Sequence, residues 1–259
     1  MEEPTENHIK TNRSAWASPV DKLHVDEVPE GLTSINVDGQ EALGALQGFG
    51  QLWKKTYKVR LSGLDKTPEE VMQVWKDKFP DFQPPGNRFI PPREGVQPGK
   101  VMWIDSPLPI VPPLFDRPGV VPMTSGVMVM YVDDTSFSVM TPEGFPVSGW
   151  NIFSVEEEDG TVVAQVQSME RASDPIYEFG FRFMGGAARQ EFIWIHVLTQ
   201  LADHFGIKGQ VSMARECLDP SVQWVHARRV VKNAGVRTTL YKLAAPLRWT
   251  ARLFTGKKS

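Results

Sequence analysis

Few side chains in this sequence carry chemistry of their own. His8, His24, His196, His204 and His226 fall at no metal-ligand spacing, and no HExxH is present. His196 and Asp203 stand seven residues apart, two turns of a helix, and so share a face. With no nucleophile nearby, a satisfied core histidine is the simpler reading than a proton-transfer pair. Cys217 is the single cysteine, which excludes an internal disulfide and a cysteine-based metal cluster. It has no recognisable histidine partner, so an inert thiol is expected. Glu156–Asp159 reads as a solvated turn, and Glu170-Arg171 as a surface ion pair ending a strand. Gly48-Phe49-Gly50 and Gly185-Gly186 lack the flanking pattern of a phosphate loop. No catalytic residue, metal ligand or cofactor is expected from these residues.

Composition is that of an ordinary globular chain of 259 residues, 41% hydrophobic and 23% charged. The polar, acidic N-terminus has no apolar stretch that would make a secretory signal, and a reducing, cytoplasmic setting suits the lone cysteine. Charge is uneven. Residues 208–259 hold 11 Lys/Arg against Glu216 and Asp219, a surplus of nine positive charges, while the chain as a whole carries −3. An acidic body with a basic tail and no recognisable binding module argues against nucleic acid. The tail mixes Trp224, Leu240, Leu247 and Trp249 with arginines and lysines. It is suited either to dock on the acidic body or to lie peripherally on a membrane surface.

The elements that must position any site are easier to read. Residues 1–36 show no periodicity and read as a loosely held arm, pinned by Trp16 and Leu23, and Asp38–Leu46 reads as a short helix with Asp38 as its N-cap, so that 1–48 make an N-terminal arm. Leu52–Leu61 alternates as a half-buried strand with Trp53, Tyr57, Val59 and Leu61 on one face, and only Lys55 spoils the pattern. Thr67-Pro68-Glu69-Glu70 is a capping box with proline in the first helical position. Residues 80–122 are rich in proline. Lys100–Ile104 is the clear strand there, and Leu108, Ile110, Val111, Leu114 and Phe115 read as a hydrophobic loop. Gly126–Val132 pairs with Ser136–Thr141, and Trp150–Val155 with Thr161–Met169, as two hairpins. Phe179–Met184 continues as strand or leads into a long helix at Ala187–Phe205. That helix is apolar over more than half its circumference and buried on more than one side. Asp219-Pro220 reads as a further helix start.

The order is strand, short helix, antiparallel strands, then a long apolar helix. It predicts an α+β fold, a curved antiparallel sheet wrapped on a long C-terminal helix, with an extra helical basic tail. Carried by Leu52–Leu61, the Thr67–Val71 helix start, the hairpin at Asp159-Gly160 and Ala187–Phe205, the order resembles the START-like helix-grip superfamily of lipid-transfer and polyketide cyclase proteins. The resemblance covers residues 49–207, with 1–48 as an arm and 208–259 as a basic helical extension. It implies a cavity between sheet and helix that takes an apolar small molecule or lipid. Trp103, Met130, Phe137, Met140, Val166, Phe192, Ile195 and Leu198 are the expected lining, and Tyr131, Gln165 or His196 the expected polar group. Two other classes compete: a cyclase/aromatase-type enzyme in which His196 or a carboxylate moves protons, and a structural or membrane-peripheral protein whose core is filled.

Overall fold

The computed structural model describes residues 15–110 and 119–244. Nine antiparallel strands build one sheet: β1 (Ala42–Leu43), β2 (Leu52–Leu61), β3 (Arg88–Ile90), β4 (Val101–Ile110), β5 (Gly119–Val132), β6 (Ser136–Pro142), β7 (Val147–Glu158), β8 (Thr161–Ala172) and β9 (Val211–Asp219). Their order in space is β3-β4-β5-β6-β7-β8-β2-β9, with β1 paired to β6. The helices are α1 (Pro68–Lys78), α2 (Pro175–Phe183), α3 (Gly186–His204) and α4 (Ala234–Leu243). Strands β3 to β8 form a meander, and β2 returns to lie beside β8. The inner face of this sheet grips α3, which is the helix-grip arrangement.

Local chemistry accounts for the elements. Thr67 caps α1, accepting a hydrogen bond from Glu70 N–H, while the Glu70 carboxylate accepts from Thr67 N–H. Asp174 caps α2, accepting from the N–H groups of Ile176 and Tyr177. This cap turns 175–183 into a helix, where a continuing strand was one expectation. The β7–β8 hairpin closes on Asp159 and Gly160, both at positive φ (52° and 71°), as a primed two-residue turn requires.

Prolines did not stop β4. It runs on to Ile110, paired with β5 through Pro107↔Pro122 and Pro109↔Val120. Leu108 and Ile110 therefore belong to a strand and not to a loop. Pro107 and Pro109 share one parity, and β3 ends opposite Asp105. The N–H groups they lack thus face an edge with no partner strand among the described residues. Val111, Leu114 and Phe115 lie outside the described residues, as do Leu247 and Trp249.

Beyond residue 207 the chain forms a strand before any helix. β9 pairs along β2 from Val59↔Val211 to Leu52↔Asp219. Asp219 ends this strand instead of capping a helix, because its carboxylate accepts from Ser221 N–H and bonds Arg171. Helical structure resumes as a 3-10 segment at Trp224–Lys232 and then as α4.

From residue 15 on the arm is packed, not loose, and over 38–47 it forms turns, β1 and a 3-10 turn at Ala45–Gln47 instead of the expected helix. Leu23 and Val37 join Val101, Trp103 and Met128 in a second apolar cluster on the outer face of the sheet. Trp16 bridges to Tyr131, and Ala17 N–H donates to Met130 O at 2.8 Å. The main core occupies the inner face. Trp75 of α1 and Phe79 at its C-cap, Phe137 and Phe153 of the sheet, and Trp194, Val197, Leu198 and Leu201 of α3 meet there.

Candidate functional site

Strand register arranges the inner face in rows. One row runs Tyr57, Val166, Phe153, Phe137 from β2 to β6, and all four are buried. The next runs Lys55, Ser168, Asn151, Val139. The first row is aromatic and aliphatic, with Phe137 and Phe153 stacked at 4.4 Å. The second starts polar. Lys55, the one residue that spoils the alternation of β2, is buried on this face.

Lys55 belongs to a closed ring of three side chains. Its Nζ donates to Glu170 Oε1 at 2.9 Å and to Gln190 Oε1 at 2.5 Å. Gln190 Nε2 donates back to Glu170 Oε2 at 2.8 Å. Burial of two charges is tolerated because each finds the other together with a further hydrogen bond. The neighbouring Glu170-Arg171 is therefore no surface ion pair. The two side chains leave β8 in different directions and both are buried. Arg171 donates to Gly50 O at 2.6 Å and to Ser221 O at 2.9 Å, and pairs with Asp219.

Over the β4–β7 half of the sheet the inner face is not filled. A cavity of about 390 Å³ lies there, bounded by Phe79 at the end of α1, the sheet, α2, α3 and the start of α4. Its walls are mostly hydrocarbon and aromatic: Phe89, Met102, Ile104, Met123, Val127, Phe137, Val139 and Phe153 from the strands, with Phe181, Ile193 and Trp194 from the helices. Polar groups are few. Ser106 donates to Asn87 at 2.7 Å, and Asn151, Tyr177, Arg189, Gln190 and Asn233 complete the set. Exposed Ile176 and Phe179 of α2 and Val236 of α4 line it too, so it reaches the surface between these helices.

A buried polar junction holds that rim. Asn233 caps α4 and donates from Nδ2 to Asp174 Oδ2 at 2.9 Å, so one contact joins the caps of two helices. Gly235 N–H donates to the Tyr177 hydroxyl at 3.1 Å. Burial pushes the Asp174 carboxyl above its ordinary range, against the pull of its three hydrogen bonds. Burial likewise raises the Tyr177 phenol. Gly144 admits the backbone at this point, with φ 88°. A Cβ there would lie 2.0 Å from Lys232 O.

The expected lining residues divide. Phe137 lines the cavity, while Val166 and Leu198 are buried in the same core without lining it. Trp103 and Met130 lie in the outer cluster beneath the arm, and Met140 shares their parity, opposite Trp150. Phe192 and Ile195 are exposed, and His196 packs its ring on Phe192, 5.7 Å away. Tyr131 donates to Asp133 outside the sheet, and Gln165 donates to Ser154 and Glu156. None of the three expected polar groups lines the cavity. The helix is rotated from the expected stripe. It turns Gln190, Ile193, Trp194, Val197 and Leu201 inward, because the apolar residues cover more than half its circumference and hydrophobicity alone does not choose among them.

No family model matches the chain, and no curated protein matches it. Solved structures do. A conserved protein from Geobacillus kaustophilus is 12% identical, the match covering 62% of this chain and 98% of that one, with a TM-score of 0.40. The di-domain ARO/CYC protein StfQ from the steffimycin biosynthetic pathway is similar at 10% identity, over 60% of this chain and 50% of that one, with a TM-score of 0.39. Major latex-like protein 151 from Panax ginseng is similar at 12% identity, over 60% and 99% of the two chains, with a TM-score of 0.34.

Proposed function

We propose that this protein binds an apolar small molecule or lipid in the cavity between sheet and long helix. The observation that carries this reading is the unfilled, hydrocarbon-lined volume of about 390 Å³ in a core that is otherwise closely packed. Protein interiors hold few voids larger than a water molecule, and this volume falls in the range of ligand pockets. An apolar guest would remove both its own surface and that of the walls from water. The enzymatic alternative has less support, since His196 does not line the cavity and, among the described lining residues, no histidine or carboxylate stands beside the Ser106 hydroxyl, which donates to Asn87. The filled-core alternative is weakened by the volume itself.

Native mass spectrometry of freshly purified protein, with organic extraction of any excess mass, tests this reading. A bound apolar molecule is the expected result. Ile193→Trp, which places a larger ring in the cavity, should abolish the excess mass while the circular dichroism spectrum is kept. Equal loading of both proteins would place the guest elsewhere and defeat the reading.

A second feature favours delivery at a membrane surface. Ile176, Phe179 and Phe183 form an exposed stripe on α2, and Val236, Leu240 and Leu243 form another on α4, flanking the cavity mouth. Arg182 and Lys242 lie on the same two helices, as an interfacial contact with anionic lipid would use. No described helix is long and apolar enough to cross a membrane. Flotation with anionic vesicles should retain the protein and lose the double variant Phe179→Ser/Phe183→Ser; equal flotation of both removes this second reading.

A further inference from the structure

Besides Trp75 on α1, four buried polar side chains of the inner face and α3 have no hydrogen-bond partner: Tyr57 at its hydroxyl, Ser168 at Oγ, Asn151 at Oδ1 and Trp194 at Nε1. They are not scattered. Ser168 is the cross-strand neighbour of both Lys55 and Asn151, and Tyr57 is the next inner residue of β2 after Lys55. The Trp194 ring packs on Phe153 at 5.5 Å, and Phe153 is the next inner residue of β7 after Asn151. The group thus sits where the apolar cavity gives way to the ring of Lys55, Glu170 and Gln190. Asn151 and Trp194 line the cavity and are only 9% and 7% exposed.

Folded proteins leave few buried polar atoms unpaired, and each one asks for a partner. Here the set holds an indole donor, a carboxamide and two hydroxyls, so it can satisfy a group that both donates and accepts. The seat itself offers no spare charge, because Lys55 and Glu170 already neutralise one another, and the lining cation Arg189 is only half-buried, in the first turn of α3. A carboxylate or ammonium buried at the seat would therefore find no unpaired opposite charge within it. We infer that the cavity's ligand is an apolar skeleton bearing one neutral hydrogen-bonding group, a hydroxyl or carbonyl, which enters first and is seated by Asn151 and Trp194 with Ser168 and Tyr57 behind. This rests on the binding reading above and adds to it the chemical class and the orientation of the guest.

The test uses three fluorescent probes of one shape: naphthalene, 2-naphthol and 2-naphthoate. The full chain should bind 2-naphthol more tightly than naphthalene, and 2-naphthoate least. Asn151→Leu should lower 2-naphthol affinity about tenfold, the worth of one buried hydrogen bond, and leave naphthalene unmoved. Trp194→Phe keeps an aromatic ring, though a smaller one, and removes the donor, so it should act in the same direction and serves if Asn151→Leu does not fold. Equal binding of naphthalene and 2-naphthol, unchanged in both variants, would overturn the seat for a polar head and leave the apolar cavity standing. Binding of none of the three would defeat both readings together. Tightest binding of 2-naphthoate would overturn the neutral head specifically.

Discussion

Lys55 and Glu170 meet diagonally across β2 and β8, with Nζ 2.9 Å from Oε1 and both side chains shut off from solvent. Neighbouring inner positions along both strands are Tyr57, Val59, Val166 and Ala164. An ion pair in that company contributes little net stability, yet removing one partner strands the other.

Lys55→Met should therefore destabilise the fold by about 3–5 kcal/mol in denaturant melts. The double variant Lys55→Met/Glu170→Leu should recover most of the loss, since an apolar pair of similar volume often equals a buried ion pair. If the single variant melts with wild type, the pair is not buried as described.

Phe137 and Phe153 stack beneath α1, and Phe79 meets both edge-on at 5.9 and 5.3 Å. Phe137→Ala should cost about 3–5 kcal/mol. It should also enlarge the cavity, so a bulkier apolar probe should bind the variant better than wild type under conditions where both are folded. Stability lost without any gain in probe size would place Phe137 away from the cavity wall.

Asp174 gives a pH signature. Its folded carboxyl titrates above the ordinary value, so stability is fully present below that value, about pH 4, and falls as pH rises toward the raised one. The difference in unfolding free energy between wild type and Asp174→Asn should decline over this window and then level. A flat difference would mean that the Asp174 carboxyl titrates normally.

Asn36 ties three elements together. From Nδ2 it donates to Thr124 O at 2.7 Å, Ala234 O at 3.2 Å and Thr238 Oγ1 at 2.8 Å. Asn36→Ala should cost about 1–3 kcal/mol and speed hydrogen exchange in α4 ahead of the sheet. Uniform exchange throughout would show that α4 does not depend on the arm.

Elements with strong local chemistry were legible in the sequence. Thr67 and Glu70 mark the start of α1, Asp159-Gly160 marks the β7–β8 turn, and the alternation of Leu52–Leu61 marks β2 over its full length. The candidate site was less so. Its polar residues look like surface: Lys55 as a flaw in a pattern, Gln190 as a helix exterior, Glu170 as half of an exposed pair. Their burial is decided by partners 115 and 135 residues away from Lys55, which no local window contains. The one inward signal was Lys55 itself, since its parity matches Tyr57 and Val59. Trp103 and Met130 misled for a related reason. Both faces of β4 and β5 are covered, one by the core and one by the arm, so hydrophobicity does not tell inside from outside.

Strand β2 has consequences for how the chain is made. It leaves the ribosome more than a hundred residues ahead of β8 and β9, its neighbours in the finished sheet, so Lys55 waits for Ser168 on one side and Arg215 on the other. Until both have been synthesised, a ten-residue ribbon with a row of free N–H and C=O groups on each edge is exposed to other nascent chains. Pairings so distant in sequence close slowly. The basic residues that alternate along β2, Lys54, Lys58 and Arg60, keep such ribbons apart by charge during that wait.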